Sequence, residues 1–221
     1  VFVTSRLFAG YSGTLDAGVL ARLIAALPQG APGATAAHKR YDAAACAVEI
    51  PADVGFCALG HNLYALGSSY SGACPVLSSL VSYGYLWNMV RVQGGAYGTG
   101  MNVRRSGDIF CYSYRDPNLD NTRAVFSNVA DFIEDFAAQG MPLDDIIIGA
   151  VNTTDPLLDP AGVCESQCVR ALKGVTPEEL AKTRHELLAT KPADLAAMAG
   201  VLRKYAREGK FCTFSGTNGG A

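Results

Sequence analysis

The stretch YLWNMVRVQGGAYGTG, residues 85–100, joins an apolar aromatic run to a lone arginine and then to four glycines around a tyrosine. Apolar residues before and within it recur at steps of three and four, which predicts one helix over residues 75–90 with a buried stripe. The stripe would consist of Val76, Leu80, Tyr83, Trp87 and Val90. Gly94 and Gly95 follow directly and predict the end of this helical segment.

Strand and helix patterns alternate on both sides of that helix. Apolar patterns predict a strand and turn over residues 1–13 and strands over residues 43–50, 54–59, 109–114 and 210–216. In the strand over residues 109–114, Phe110, Tyr112 and Tyr114 would share one face. Helical spacing predicts helices over residues 16–27, 122–139, 142–151, 164–172 and 195–205, and Thr176 with Glu179 forms a capping box. Because consecutive strands can pair antiparallel, we expect an α+β fold. Its mostly antiparallel sheet would carry helices on one face, in a single domain spanning residues 1–221.

Composition narrows the classes of function. Of 221 residues, 49% are hydrophobic and 17% are charged, which is typical of a globular chain. The net charge of −2 offers no basic field for nucleic acid or an anionic membrane. No apolar run approaches the roughly 20 residues that a membrane-spanning helix requires. We therefore expect neither a nucleic-acid partner nor a membrane.

Seven cysteines are scattered along the chain without a C-x-x-C pair. An odd count of this kind favours free, mostly buried thiols in a reducing compartment. The cytoplasm is the expected location, with an organellar matrix as the alternative. Cys164 and Cys168 lie four residues apart and could form half of a metal site, but the other ligands are missing, so we predict no metal in this chain.

Other familiar catalytic patterns are absent from the sequence. The three histidines, His38, His61 and His185, form neither H-E-x-x-H nor H-x-x-E-H. The glycine-rich stretch lacks the Lys-Ser/Thr of a P-loop and follows a helix, and no G-x-S-x-G occurs.

Arg91 and Tyr97 remain as candidates on either side of the glycines. One interpretation is structural: Arg91 meets the negative end of a helix dipole and Tyr97 is a half-buried turn residue. The other is functional, because two fixed donors would suit a peptide carbonyl or the oxyanion that it becomes. The bend that brings them together would depend on Gly94, Gly95, Gly98 and Gly100.

At these residues the sequence resembles a known family. YLWNMVRVQGGAYG, residues 85–98, and YSYRDPN, residues 112–118, resemble the C-terminal half of the pitrilysin/insulinase family of zinc metallopeptidases (inverzincins), in its presequence-protease branch. Residues 49–64 and 176–199 resemble flanking segments of that branch. The resemblance runs from about residue 6 to residue 214.

The resemblance implies four homologous domains in two halves that close around a chamber. This chain would be the C-terminal, fourth domain of a larger protein, consistent with its start at Val1, and would bring no cofactor of its own. Zinc would lie in the missing N-terminal half, so this chain alone would be inactive as a metalloendopeptidase. Its partners would be that half and unstructured peptides.

The resemblance also assigns roles to residues. Arg91 and Tyr97 would donate to the substrate backbone and scissile carbonyl, with Gly94 and Gly95 shaping the substrate-binding segment. Arg115 and Asp116, although they lie in a matching motif, are expected to form a turn. Two alternatives stay open: a non-catalytic scaffold or peptide-binding member of the same fold, and a free-standing protein-interaction domain.

Overall fold

A computed structural model of the chain describes residues 7–30, 33 and 44–216. The chain divides into two compact units, one within residues 1–42 and 156–180 and the other within residues 43–155 and 181–221. The assignment of the whole chain to one domain stays a prediction.

The larger unit is built on a five-stranded sheet. Its strands are β1 (Cys46–Glu49), β2 (Gly55–Asn62), β3 (Gly98–Val103), β4 (Asp108–Asp116) and β5 (Lys210–Ser215). Their order across the sheet is β1-β5-β2-β4-β3. Only β1 and β5 pair in parallel, and the other three neighbouring pairs are antiparallel. The predicted α+β class with a mostly antiparallel sheet is confirmed.

Helices of the larger unit pack on one face of this sheet. They are α2 (Ala73–Ser79), a π-helix (Leu80–Gln93), α3 (Leu119–Ser127), α4 (Val129–Ala138), α5 (Asp144–Thr154), α8 (Pro192–Ala196) and α9 (Ala199–Glu208). Along β4, Ile109 and Cys111 are buried among the helices, whereas Phe110 and Tyr112 lie on the opposite, partly exposed face. The predicted aromatic face of this strand is therefore real, and it is the face without helices.

Tyr205 of α9 fixes the helical layer to the centre of the sheet. Its side chain is completely buried. The phenol donates to the Leu59 carbonyl at 2.7 Å and accepts from the Cys111 N–H at 2.8 Å. One hydroxyl therefore ties α9 to both β2 and β4, and it leaves no buried polar atom of its own unsatisfied.

The segment that was expected to be one α-helix changes its winding at Leu80. After α2, the chain continues as a π-helix with i→i+5 hydrogen bonds. Buried residues then recur at steps of four and five, at Leu77, Val81, Leu86 and Val90. Tyr83 and Trp87, which the helical stripe placed in the core, are instead 69% and 40% exposed. The wider turn rotates both rings out of the core, so this part of the prediction was wrong.

Serines of the same segment cover the outer edge of the sheet. β3 is an edge strand, and its Met101 N–H donates to Ser82 Oγ at 2.9 Å. The Val103 N–H donates to Ser78 Oγ at 3.0 Å. Backbone donors that an edge strand would leave unpaired are thus satisfied by the helix packed beside it.

The smaller unit contains α1 (Ala17–Ala26), α6 (Pro160–Leu172) and the first turn of α7 (Pro177–Ala189), which continues into the larger unit. Side-chain caps define these helix starts. Asp16 accepts from the N–H groups of Gly18 and Val19, and Asp159 accepts from that of Gly162. The predicted capping box is confirmed, with Thr176 and Glu179 each accepting from the other's N–H.

Several predicted boundaries were wrong. Residues 7–13 form no strand, and residues 1–6 lie outside the described part. The helix predicted over residues 122–139 is two helices that meet at Asn128. The strand β3 was not predicted at all, because its two glycines suggested a bend.

Candidate functional site

Arg91 and Tyr97 line one open pocket of about 650 Å³ in the larger unit. Its walls also include Val54, Trp87, Gly95 and Arg115. The pocket lies beside the C-terminal end of the π-helix, the glycine bend that leads into β3, and the C-terminal end of β4. The predicted convergence of the arginine and the tyrosine is therefore present in the geometry, whereas their roles stay a prediction.

The π-helix supplies both Arg91 and the ring that supports it. The Arg91 guanidinium carbon lies 3.9 Å from the centroid of the Trp87 ring, within the range of a cation–π interaction. In the π-helix the Trp87 ring points outward and forms one wall of the pocket. The π-helical winding that departs from the predicted α-helical stripe therefore also shapes the site.

Tyr97 is held by its backbone and by a neighbouring ring. Its N–H donates to the Arg115 carbonyl at 3.3 Å, and its ring lies 5.5 Å from that of Tyr114. The side chain is 61% exposed. Within the described residues its phenol has no hydrogen-bond partner, so the hydroxyl can donate to a ligand.

The glycines of the opening stretch divide into two pairs with different functions. At Gly94 a Cβ atom would lie 2.5 Å from the Val90 carbonyl oxygen, and Gly95 has a φ of +83°. These two make the bend, as predicted. The other pair belongs to β3: the Tyr114 ring lies directly on Gly98, and the Tyr112 hydroxyl lies 2.9 Å from where a Gly100 Cβ would be.

Asp116 is structural, as expected from the turn motif. Its buried carboxylate accepts from the Ser113 and Thr122 hydroxyls, each at 2.6 Å, and from the Asn118 N–H at 2.8 Å. It thereby joins the end of β4 to the start of α3.

Arg115 does not fit that turn role, and sequence reasoning missed it as a site residue. Its guanidinium lies over the Tyr97 ring, 5.7 Å from the centroid, and lines the pocket beside Arg91. The only signal in the sequence was its place in a motif that already matched.

A second groove of about 840 Å³ adjoins the first and shares Val54 with it. It lies at one end of the sheet, between the β1–β2 connection and the start of α3. Four acidic residues line it: Glu49, Asp53 and Asp120, which are exposed, and Asp116, which is buried. The two adjoining cavities therefore differ in charge.

The seven thiols are free, but only Cys57, Cys74 and Cys111 are buried, so the expectation of mostly buried thiols was wrong. Burial raises the pKa of Cys57 to about 11 and that of Cys111 to about 12, which keeps both protonated and unreactive. The exposed Cys46 pairs in register with Cys212, and a hydrogen bond between the two thiols raises the pKa of Cys46.

Cys164 and Cys168 approach each other on α6. Desolvation and the neighbouring Cys168 thiol raise the pKa of Cys164. Among the residues that the structure describes, no three histidine, cysteine, aspartate or glutamate side chains group together as metal ligands. The described residues therefore offer no set of ligands for a zinc ion, which the resemblance places in the other half of the protein.

Residues 46–214 match the model of the PreP C-terminal domain family. The chain belongs to this family. The matched residues contain the π-helix and the pocket residues Arg91, Tyr97 and Arg115. The resemblance to the presequence-protease branch is confirmed.

Curated relatives agree with this assignment. Presequence protease 1, chloroplastic/mitochondrial, from Arabidopsis thaliana is 34% identical over 154 residues, which cover 69% of this chain and 14% of that protein. Protein HypA from Clostridium perfringens is 32% identical over 160 residues, 72% of this chain and 16% of that protein. The chain therefore spans about a sixth of the length of these relatives.

Solved structures share the fold at low sequence identity. A peptidase M16 inactive domain from Pseudomonas fluorescens matches with a TM-score of 0.61 and 14% identity, over 92% of this chain and 51% of that one. A protease from Helicobacter pylori matches with a TM-score of 0.52 and 14% identity, over 92% and 53% of the two chains.

Across the described part of the chain, no helix combines the length and apolarity needed to cross a membrane.

Proposed function

We propose that this chain is the C-terminal, substrate-binding domain of a zinc-dependent metalloendopeptidase of the presequence-protease type. The intact hydrolase would degrade unstructured peptides inside a closed chamber. The family match over residues 46–214 supports the class of protein. The pocket shared by Arg91 and Tyr97 supports the role of this domain.

The observation that carries the proposal is that the Tyr97 phenol and the Arg91 guanidinium both have N–H or O–H groups available for a ligand. The Tyr97 phenol is exposed and has no partner within the described residues. The Arg91 guanidinium is supported by an aromatic face, which leaves its N–H edges available. Two preorganised donors in an open pocket suit an oxygen atom of a bound peptide.

In this mechanism Arg91 and Tyr97 act on the substrate backbone. Both donate hydrogen bonds to the peptide near the scissile carbonyl, and these bonds strengthen as negative charge develops on its oxygen. The bend at Gly94 and Gly95 holds the two donors in the same pocket. Zinc would be held by the rest of the polypeptide, and no role in holding it is assigned to residues of this chain.

The partner of this domain would be the N-terminal half of the same polypeptide. Closure of the two halves would complete the site only around a bound peptide, which must therefore be unstructured. The relative from Arabidopsis is named as chloroplastic/mitochondrial, and that from Emericella nidulans, 30% identical over 85% of this chain, as mitochondrial. These names favour the organellar matrix over the cytoplasmic location expected from the sequence.

The test uses the full-length protein that contains this chain, with Tyr97→Phe as the variant. We expect turnover of an unstructured peptide to fall about 10²–10³-fold with little change in KM, as for loss of one oxyanion donor. Tyr83→Phe is the matched control, because this phenol is 69% exposed and lies outside the pocket lining. Metal content and Arg91→Ala are measured alongside.

Equal turnover in wild type and Tyr97→Phe would remove the proposed role of the phenol. A full-length protein that holds no zinc and cleaves no peptide would favour the scaffold or peptide-binding alternative. Arg91 and Tyr97 would then be a helix-terminal cation and a turn residue.

A further inference from the structure

Arg115 occupies a position in β4 that has no partner on the neighbouring strand β2. On the neighbouring strand β2, Gly55 pairs with Asp116 and Phe56 pairs with Tyr114, so the residue between them has no partner there. Its φ is +50°, which places an arginine in the left-handed region that favours glycine. Such bulges redirect a side chain and are frequent beside active sites.

The bulge adds a second cation to the pocket. The Arg115 guanidinium lies over Tyr97, while that of Arg91 lies against Trp87. Within the described residues neither arginine forms an ion pair with a carboxylate. No acidic side chain lines the pocket either. Two positive charges therefore face one open cavity without an opposite charge.

A peptide backbone does not account for both charges. A carbonyl oxygen is neutral, and Arg91 with Tyr97 already supplies two donors to it. A guanidinium presents its N–H groups in a planar fork that matches a carboxylate in a bidentate way. We propose that Arg115 binds a carboxylate of the peptide, so that the pocket prefers peptides with an acidic group near the bound carbonyl. This inference rests on the proposed function for the identity of the ligand as a peptide.

The adjoining groove gives the preference a direction. Its exposed acidic side chains, Glu49, Asp53 and Asp120, repel a peptide carboxylate, whereas the fourth acidic residue, Asp116, is buried. Because the two cavities meet at Val54, an acidic group on a bound peptide is favoured on the Arg115 side and disfavoured on the other.

The experiment measures peptide binding and cleavage separately in the full-length protein. A single glutamate is scanned along a short unstructured peptide, each peptide is matched by its glutamine version, and the C-terminus is either a free acid or an amide. Dissociation constants come from fluorescence anisotropy with EDTA present to prevent turnover, and kcat/KM comes from a parallel assay without EDTA. The glutamate arm and the C-terminal arm distinguish the two sources of a carboxylate.

We expect one acidic position to bind about tenfold more tightly than its neutral match, equivalent to about 1.4 kcal/mol. In Arg115→Gln this ratio should fall to within about twofold, with Arg115→Lys intermediate. Arg115→Gly should lose the ratio as well, while unfolding at no lower a urea concentration than wild type, because glycine adopts this φ freely. The matched control is Arg104→Gln, whose guanidinium lies over Phe110, 5.0 Å from the ring centroid and outside the pocket lining, and which should keep the ratio.

Each outcome separates this inference from the proposed function. Cleavage with equal affinity for acidic and neutral peptides, or with a ratio unchanged in Arg115→Gln, overturns the carboxylate site and leaves the peptidase intact. A ratio that collapses in Arg115→Gln without any cleavage supports the site and overturns the peptidase. If Arg115→Gln lowers turnover equally for all peptides but keeps the ratio of affinities for acidic and neutral peptides, the carboxylate site is overturned, and Arg115 only supports the Tyr97 ring.

Discussion

At the scale of single residues, Gly95 is the position of the bend where the backbone conformation itself disfavours a side chain. Its φ of +83° is strained for any L-residue, and a Cβ atom would lie 3.3 Å from Pro117 Cγ. We expect Gly95→Ala to lower the free energy of unfolding by about 1–2 kcal/mol. Gly95→Val should cost more, since its branched side chain extends toward Pro117. Urea denaturation measures both changes.

Gly140 separates the two causes of that cost. Its φ is +63°, but nothing lies within 4 Å of where a Cβ atom would be. Gly140→Ala and Gly140→Val should therefore show the backbone strain alone, which is larger for valine because its side chain is β-branched. If the valine variants lose equal stability at both positions, contact with Pro117 contributes nothing.

At the residue level, the placement of side chains could be predicted where the residues are close in sequence, whereas the roles of Arg91 and Tyr97 stay a prediction. Arg91, Tyr97 and the bend at Gly94 and Gly95 could be inferred because they are close in sequence. Arg115 could not, because its orientation depends on how Gly55 and Phe56 of another strand pair with β4. Register between strands distant in sequence is not encoded in a local motif.

At the scale of elements, the contact between the helical segment and β3 depends on Ser78 and Ser82. Removing either hydroxyl leaves a strand N–H, that of Val103 or Met101, without its partner. We expect Ser82→Ala or Ser78→Ala to lower the free energy of unfolding by about 1–3 kcal/mol. Hydrogen exchange should quicken at the Met101 amide in the first variant and at the Val103 amide in the second.

Ser127→Ala is the control for this prediction. The Ser127 hydroxyl donates to the Arg123 carbonyl on an exposed helix surface, so its loss should change stability by less than about 0.5 kcal/mol. Equal effects of Ser82→Ala and Ser127→Ala would show that the serine contacts do not protect the edge.

The same helical segment shows why element boundaries were only partly predictable. The predicted α-helical stripe and the observed winding both bury Val76, Leu80 and Val90, so these apolar residues do not distinguish an α-helix from a π-helix. The choice between them is made by packing: the π-helix buries Leu86 and releases Trp87. Periodicity is a weak guide where two windings share most of their buried positions.

At the scale of the whole molecule, fold class followed from the alternation of patterns, but topology did not. The closing strand β5 inserts between β1 and β2 and pairs with one in parallel and with the other antiparallel. Local sequence favours pairing of neighbouring strands, and nothing local to β5 specifies that position. The position of β5 follows instead from pairing between residues distant in sequence, since Phe56 to Gly60 of β2 pair with Phe214 to Lys210 of β5.

Buried thiols in the sheet of the larger unit should make its stability fall at high pH. Unfolding returns Cys57 and Cys111 to the ordinary thiol pKa of about 9, whereas burial raises their pKa values to about 11 and about 12 in the folded state. Between these values the folded chain holds protons that the unfolded chain has lost. The contribution is therefore complete below pH 9 and declines as pH rises.

Each such thiol reduces the free energy of unfolding by about 1.4 kcal/mol per pH unit across that window, so the two together give about 2.7 kcal/mol per unit between pH 9 and 11. Tyr205, whose pKa is raised well above its ordinary value of 10 mainly by burial, adds its own loss of stability at the upper end of this pH range.

Urea denaturation from pH 7 to 11 measures how steeply the free energy of unfolding falls with pH. In Cys111→Ala the curve begins lower because a packed side chain is lost, but its slope should be shallower by about 1.4 kcal/mol per unit, since one titrating group is gone. Parallel curves for the wild type and Cys111→Ala would contradict this origin, because a shared decline would have to come from groups other than the Cys111 thiol.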